Sequence, residues 1–173
     1  MPTGGLRKRI LTARSGTEWH ALGRETATAP DGYDILIELL DSPHATIAKR
    51  AGYVFTHTGE HAPHRTLARL DALVPLLDRD VHPSTRRALC RALTFVDLPE
   101  AWLGPVLDRC FGYLEDVAER VAVRAFAVDI IYRNTAAHPE LRQELRRLLE
   151  WAAPVASAGL RSKARRYLPL LVD

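Results

Sequence analysis

Arg50-Ala51, Arg87-Ala88, Arg124-Ala125 and Lys163-Ala164 are one phrase, a cation followed by alanine, set four times into apolar sequence. The alanines stand 37, 37 and 39 residues apart. A period of that length marks a repeat architecture, in which each supersecondary unit buries its apolar face only by stacking on the next. Around each phrase the apolar residues advance in threes and fours. Leu67, Leu70, Val74 and Leu77 make one stripe; Leu103, Leu107, Cys110 and Leu114 make another; Leu160, Ala164, Tyr167 and Leu171 close the chain. Such spacing gives each helix a single apolar face. No alternating run demands a strand.

Prolines punctuate the helices. Pro30, Pro43, Pro63, Pro83, Pro99 and Pro139 stand where apolar runs begin. Proline suits a first helical turn, where its missing N–H is no loss. The spacing predicts helices pairing as 31–41 with 44–58, 64–79 with 83–96, 99–115 with 118–136, and 140–152 with 158–171. Short connections are those of antiparallel hairpins. Residues 1–29 read as an N-terminal cap or a loosely ordered segment, with Leu6 to Ala13 and Thr17 to Thr26 as candidate short helices.

Two features resemble HEAT repeats. Leu73-Val74-Pro75-Leu76-Leu77 and Leu103-Gly104-Pro105-Val106-Leu107 look like the proline-bearing first helix of such repeats. Asp41, Asp80 and Asp116 precede Arg50, Arg87 and Arg124, as the linking aspartate of a HEAT unit precedes its arginine. The fourth unit departs, with Ala156 and Ser157 in the aspartate's place. The resemblance implies an all-α fold: a right-handed α-α superhelix, an armadillo- or HEAT-like solenoid of about four hairpins over residues 30–173, single-domain overall. The closing segment, Ser157 to Arg166, is also similar to a small family of uncharacterised bacterial HEAT-like proteins. Some of these carry an adenylosuccinate-lyase label. That family's signature loop needs an internal methionine, and here Met1 is the only one.

Composition restricts the function classes. Among 173 residues 47% are hydrophobic, so a packed core is expected. The net charge of +3 is the small difference between 24 basic and 21 acidic side chains, a weak signal for a nucleic-acid partner. Arginine outnumbers lysine 21 to 3 and is spread along the whole chain, which reads as compositional bias. Cys90 and Cys110 lie in apolar helical stretches with no zinc spacing, as buried reduced thiols of a cytoplasmic protein would. No signal-peptide core is read near the N-terminus, and no run approaches the roughly 20 apolar residues of a membrane span.

Four groups of residues could bind or react. Arg50, Arg87, Arg124 and Lys163 would form a row on the second helices, which usually line the concave face of a solenoid. They read either as a surface for an acidic partner or as a ladder of bidentate contacts with Asp41, Asp80 and Asp116. Asp129 reads as a partner of Arg133 one turn on, or as a polar contact on that same face. Arg161, Arg165 and Arg166, with Lys163, read as the polar cap of a terminal repeat or as an anion patch, backed by Arg142, Arg146 and Arg147. His57-x-x-Glu60-His61, with His64 following, matches an inverted zinc-protease pattern. Gly59 and Pro63 place that motif across a loop, so no metal is expected.

No nucleophile–base pair, glycine-rich phosphate loop or paired-cysteine motif is present. The sequence therefore points to a non-enzymatic interaction module that docks an unidentified protein or peptide on the concave face, without cofactor or membrane contact. The alternative is nucleic-acid binding, including alkylated-base glycosylase chemistry of the kind some bacterial HEAT-like proteins perform. Its candidate residues are Asp129, Trp102 and Trp151.

Overall fold

The structure is a computed structural model that describes residues 3–172. Among these residues all regular structure is helical, with eleven α-helices and three 3-10 turns. The chain divides into two compact units, Met1–Val96 and Asp97–Asp173.

The first unit holds α1 (Thr3–Thr12), α2 (Gly16–Thr28), α3 (Gly32–Leu40), α4 (Ala45–His61), α5 (Pro63–Leu67), α6 (Leu70–Leu73) and α7 (Pro83–Leu93). Its axis is α4, packed against α2 and α7. Ala48, Ala51, Val54 and Phe55 of α4 are wholly buried. Each large apolar side chain so buried contributes roughly 1.5–3 kcal/mol. Glycines let the helices approach. A Cβ on Gly52 would stand 2.8 Å from the Ser84 carbonyl oxygen, and one on Gly59 2.5 Å from the Ala92 Cβ. The start of α2 is fixed by a capping box. The Ser15 hydroxyl accepts from the Glu18 N–H at 3.2 Å, and the Glu18 carboxylate accepts from the Ser15 N–H at 2.9 Å.

The segment 64–79, expected as one helix, is instead α5, α6 and a 3-10 turn, Val74–Leu77. The helix breaks first at Arg69, whose φ of −126° and ψ of 22° are not helical, and then at Pro75, which has no N–H to donate and whose ring crowds the carbonyl four residues back, where α6 gives way to the 3-10 turn. α8, by contrast, continues through Pro105.

The second unit holds α8 (Glu100–Glu115), α9 (Val121–Asn134), α10 (Glu140–Ala152) and α11 (Ala158–Tyr167). α9 packs against the other three. Val123, Ala127, Val128, Ile130 and Ile131 are wholly buried along it. The prolines lie where the sequence puts them: Pro63 and Pro83 open α5 and α7, and Pro99 and Pro139 stand just before α8 and α10. Cys90 and Cys110 are buried in the two cores and form no disulfide with each other. No helix among the described residues is long and apolar enough to cross a membrane.

Candidate functional site

Three of the four cations of the repeated phrase turn inward, each in its own way. Arg50 donates through Nη1 to the carbonyl of Leu11. Arg124 is only 9% exposed and donates to the Leu114 carbonyl at 2.8 Å. Here the phrase is rotated by one place: Ala51, Ala88 and Ala164 are buried, whereas Ala125 is half-buried and Arg124 takes the inner position. Arg87 is half-buried and has no hydrogen bond or ion pair among the described residues. Lys163 reaches Asp129, with Nζ 2.7 Å from Oδ1 and 2.5 Å from Oδ2.

The expected ladder is thus built from other residues. Asp41 pairs with Arg79 at 2.7 Å rather than with Arg50. Asp116 accepts from the Ala118 N–H at 2.9 Å and so shapes the turn before α9. Asp80 is exposed in the turn before α7. Arg133 does not meet Asp129; its Nε donates to Asp97 at 2.7 Å. Carboxylate pairs spanning roughly one repeat do recur, as Arg91–Glu60 at 2.9 Å and Arg69–Asp34 at 2.5 Å show within the first unit. Their acceptors lie outside the turn aspartates because an arginine reaches the carboxylate nearest in space, not the one at equal register.

Asp129 is the polar centre of the second unit. Its Oδ1 also accepts from the Tyr167 hydroxyl at 2.7 Å. Tyr167 stacks on Tyr132 with ring centroids 4.3 Å apart, and the Arg166 guanidinium lies 5.2 Å from the Tyr167 ring. Burial, then the bond to Asp129 and its charge, push the Tyr167 phenol up to about 12. The carboxylate thus accepts three bonds, two from the ammonium and one from the phenol, all from the chain's own side chains. Trp102 is half-buried on α8 and Trp151 is 55% exposed on α10.

The C-terminal cations divide. Arg161 folds back on the Ala156 carbonyl at 2.6 Å. Arg165 and Arg166 are exposed. Arg146 pairs with Glu150 at 2.9 Å on α10.

The histidine motif lies on a helix, not across a loop. α4 runs to His61, so His57 and His61 are one turn apart, and Gly59 serves close packing on Ala92 rather than ending the helix. His20 of α2 joins them, its ring centroid 4.9 Å from that of His57 and 5.4 Å from that of His61. Both contacts are edge to face. Burial first, and the charge of His20 next, hold the His57 imidazolium below its usual range. Glu60 turns away to Arg91. Among the described residues no group of three or more His, Cys, Asp or Glu side chains is placed to hold a metal ion.

One residue with a structural reach went unflagged by sequence. Arg65 of α5 donates to the carbonyls of Ala27 at 3.1 Å, Ala29 at 2.6 Å and Pro30 at 2.8 Å, closing the C-terminal end of α2. Backbone acceptors leave no side-chain signature, so only its spacing of about one repeat from them could have drawn notice.

Helical hairpins with repeat-spaced pairs are the architecture of a HEAT repeat domain, and the model of that family matches residues 6–169. The chain belongs to the HEAT repeat family. A crystal structure of an engineered protein is similar to it in fold, with a TM-score of 0.60 at 17% sequence identity, over 97% of this chain and 79% of the other. No curated protein sequence matches the chain.

Proposed function

We propose that this protein is a non-enzymatic interaction module of the cytoplasm, which docks a protein or peptide on the second helices of its hairpins. In solenoids of this family those helices line the concave binding surface. The observation that carries the reading is the internal engagement of the cation row. Arg50 and Arg124 hold backbone carbonyls and Lys163 holds Asp129, which commits their donor groups inside the chain rather than to a phosphate backbone. The same contacts tie Asp129, the carboxylate that a base-excision mechanism would need free, to Lys163 and Tyr167. Arg87, with the exposed edges of its neighbours, then supplies polar specificity rather than a polyanion groove.

The test is fluorescence anisotropy with a labelled duplex and a labelled single strand of about 20 nucleotides, from low to physiological salt. The proposal expects no complex tighter than the non-specific range of roughly 1 µM or weaker. Submicromolar binding that falls steeply with salt contradicts it and favours the nucleic-acid reading, with Arg165 and Arg166 as the first phosphate contacts to examine.

A further inference from the structure

A groove of 560 Å³ runs between α8 and α10 in the second unit. Its floor is apolar: Leu103, Leu107 and Phe111 from α8 and Leu141 from α10. Its walls carry five carboxylates, Glu100, Asp108 and Glu115 on α8 and Glu140 and Glu144 on α10. No lysine or arginine lines it among the described residues. Asp108, Glu115 and Glu144 have no ion-pair partner among those residues, while Glu100 and Glu140 approach His138 at 3.8 and 3.5 Å.

A groove in the first unit shows the contrast. It is lined by three carboxylates, Glu38, Asp41 and Asp71, of which the first two are neutralised by Arg7 and Arg79 at 2.6 and 2.7 Å. The α8–α10 groove has the apolar floor without the compensating cations. Like charges gathered around an apolar strip repel one another, and only an outside cation relieves them.

Gly104 and Gly112 add an independent sign. Both lie on the groove wall in the interior of α8, where glycine costs about 1 kcal/mol relative to alanine. A Cβ at Gly112 would meet nothing within 4 Å, so no packed neighbour requires that glycine, whereas Gly104 precedes Pro105, whose ring disfavours a Cβ on the residue before it in a helix. Glycine on a helix face is otherwise explained by close approach of another backbone. The length is fitting too: the sixteen residues of α8 span about 24 Å, enough to seat a helix of about 16 residues.

We infer that this groove docks a lysine- and arginine-rich amphipathic helix of a partner protein. Its apolar stripe would lie on Leu107, Phe111 and Leu141, its flanking cations would meet Asp108, Glu115 and Glu144, and its backbone would come close at Gly104 and Gly112. This is helix-in-groove recognition, with charge setting orientation and partner choice. A polyanion is repelled by the same walls. The chain's own basic helix α11 is unsuited as a second-copy occupant, because its apolar residues Leu160, Ala164 and Tyr167 are buried in its own core.

The experiment uses the full chain and a labelled 16-residue helical peptide with leucine at helical spacing and lysine elsewhere, read by anisotropy. A Leu-to-Ser version and a Lys-to-Glu version serve as comparators. Binding of the first peptide alone is expected, weakened at least tenfold by the double variant D108K/E144K and unchanged by D80K, which lies in the first unit. G112L, which fills the approach, should weaken binding by a similar factor, with circular dichroism verifying the fold of each variant. Three results each overturn the inference: no binding of the basic amphipathic peptide, equal binding of the serine version, or equal loss in D80K. A mass measurement showing dimerisation abolished by D108K/E144K would overturn it in favour of a second copy.

Discussion

Lys163 and Asp129 are joined across 34 residues of sequence by two short contacts, Nζ to Oδ1 at 2.7 Å and Nζ to Oδ2 at 2.5 Å. The pair is half-buried, with side chains 24% and 18% exposed, and Tyr167 shares the same carboxylate. It links the second helices of the last two hairpins. Removing one member leaves the other charge poorly solvated, which costs more than removing both.

Asp129→Asn is therefore expected to lower stability by about 1–2 kcal/mol, and the double variant D129N/K163M by less than the sum of its parts, with a coupling of about 1 kcal/mol. Urea denaturation of the four proteins measures this. The same substitution should bring the Tyr167 phenol down from about 12, though burial keeps it above the usual tyrosine range. In the folded protein Tyr167 stays protonated where the unfolded chain has ionised. Stability contributed by this residue is thus intact below about pH 10 and falls as pH rises from 10 towards 12. Tyrosinate absorbance followed against pH reports both effects.

The glycines of α4 and α8 should respond oppositely to the same change. Gly59→Ala adds a Cβ 2.5 Å from that of Ala92. The overpacking outweighs the gain in helix propensity, and a net loss of about 1–2 kcal/mol is expected. Gly112→Ala meets open space and should gain about 0.5–1 kcal/mol, whereas Gly104→Ala, set before Pro105, should gain less. Denaturation midpoints at constant m-value decide this.

Arg65→Met removes a guanidinium shared among the carbonyls at the end of α2. Charge-assisted bonds to backbone oxygens make a loss of about 2 kcal/mol the expected result. Arg65→Lys should recover less than half of it, since one ammonium cannot reproduce a planar fork spread over several acceptors. Hydrogen exchange in residues 26–32 should rise in both variants, and more in the first.

His57 gives a dependence at mildly acid pH. Its folded pKa is depressed, by burial before anything else, so the unfolded chain takes up the proton first. Stability is complete above about pH 6.5 and falls as pH drops below that value. His57→Asn should flatten this acid limb of melting temperature against pH. His20 and His61 are the neighbouring imidazoles, and Glu60 and Arg91 are the charged groups beside them. A slope unchanged by the substitution would assign the acid sensitivity elsewhere.

The repeat itself is legible in the sequence because burial enforces it. Ala51, Ala88 and Ala164 recur where helices touch, and prolines mark the helix starts since a first turn needs no N–H. What the sequence hides is set in three dimensions. A stripe from Leu67 to Leu77 reads as one helix, yet the chain leaves helical geometry at Arg69, and Pro75 then denies the ladder a donor. Asp129 has Arg133 one turn away, and the nearer residue in sequence is not the nearer in space. Gly59 reads as a helix end, whereas it lies seven residues beyond Gly52 on one face of α4, a spacing that signals close packing. The α8–α10 groove depends on two helices brought together by α9, so its five carboxylates are scattered in the chain and gathered only by the fold.

The most direct test of the central claim is affinity capture from lysate of the source cells at moderate salt, with and without nuclease, read by quantitative mass spectrometry. A protein partner recovered in stoichiometric amount and retained after nuclease is expected. Recovery of nucleic acid, or of proteins that disappear with nuclease, would contradict it.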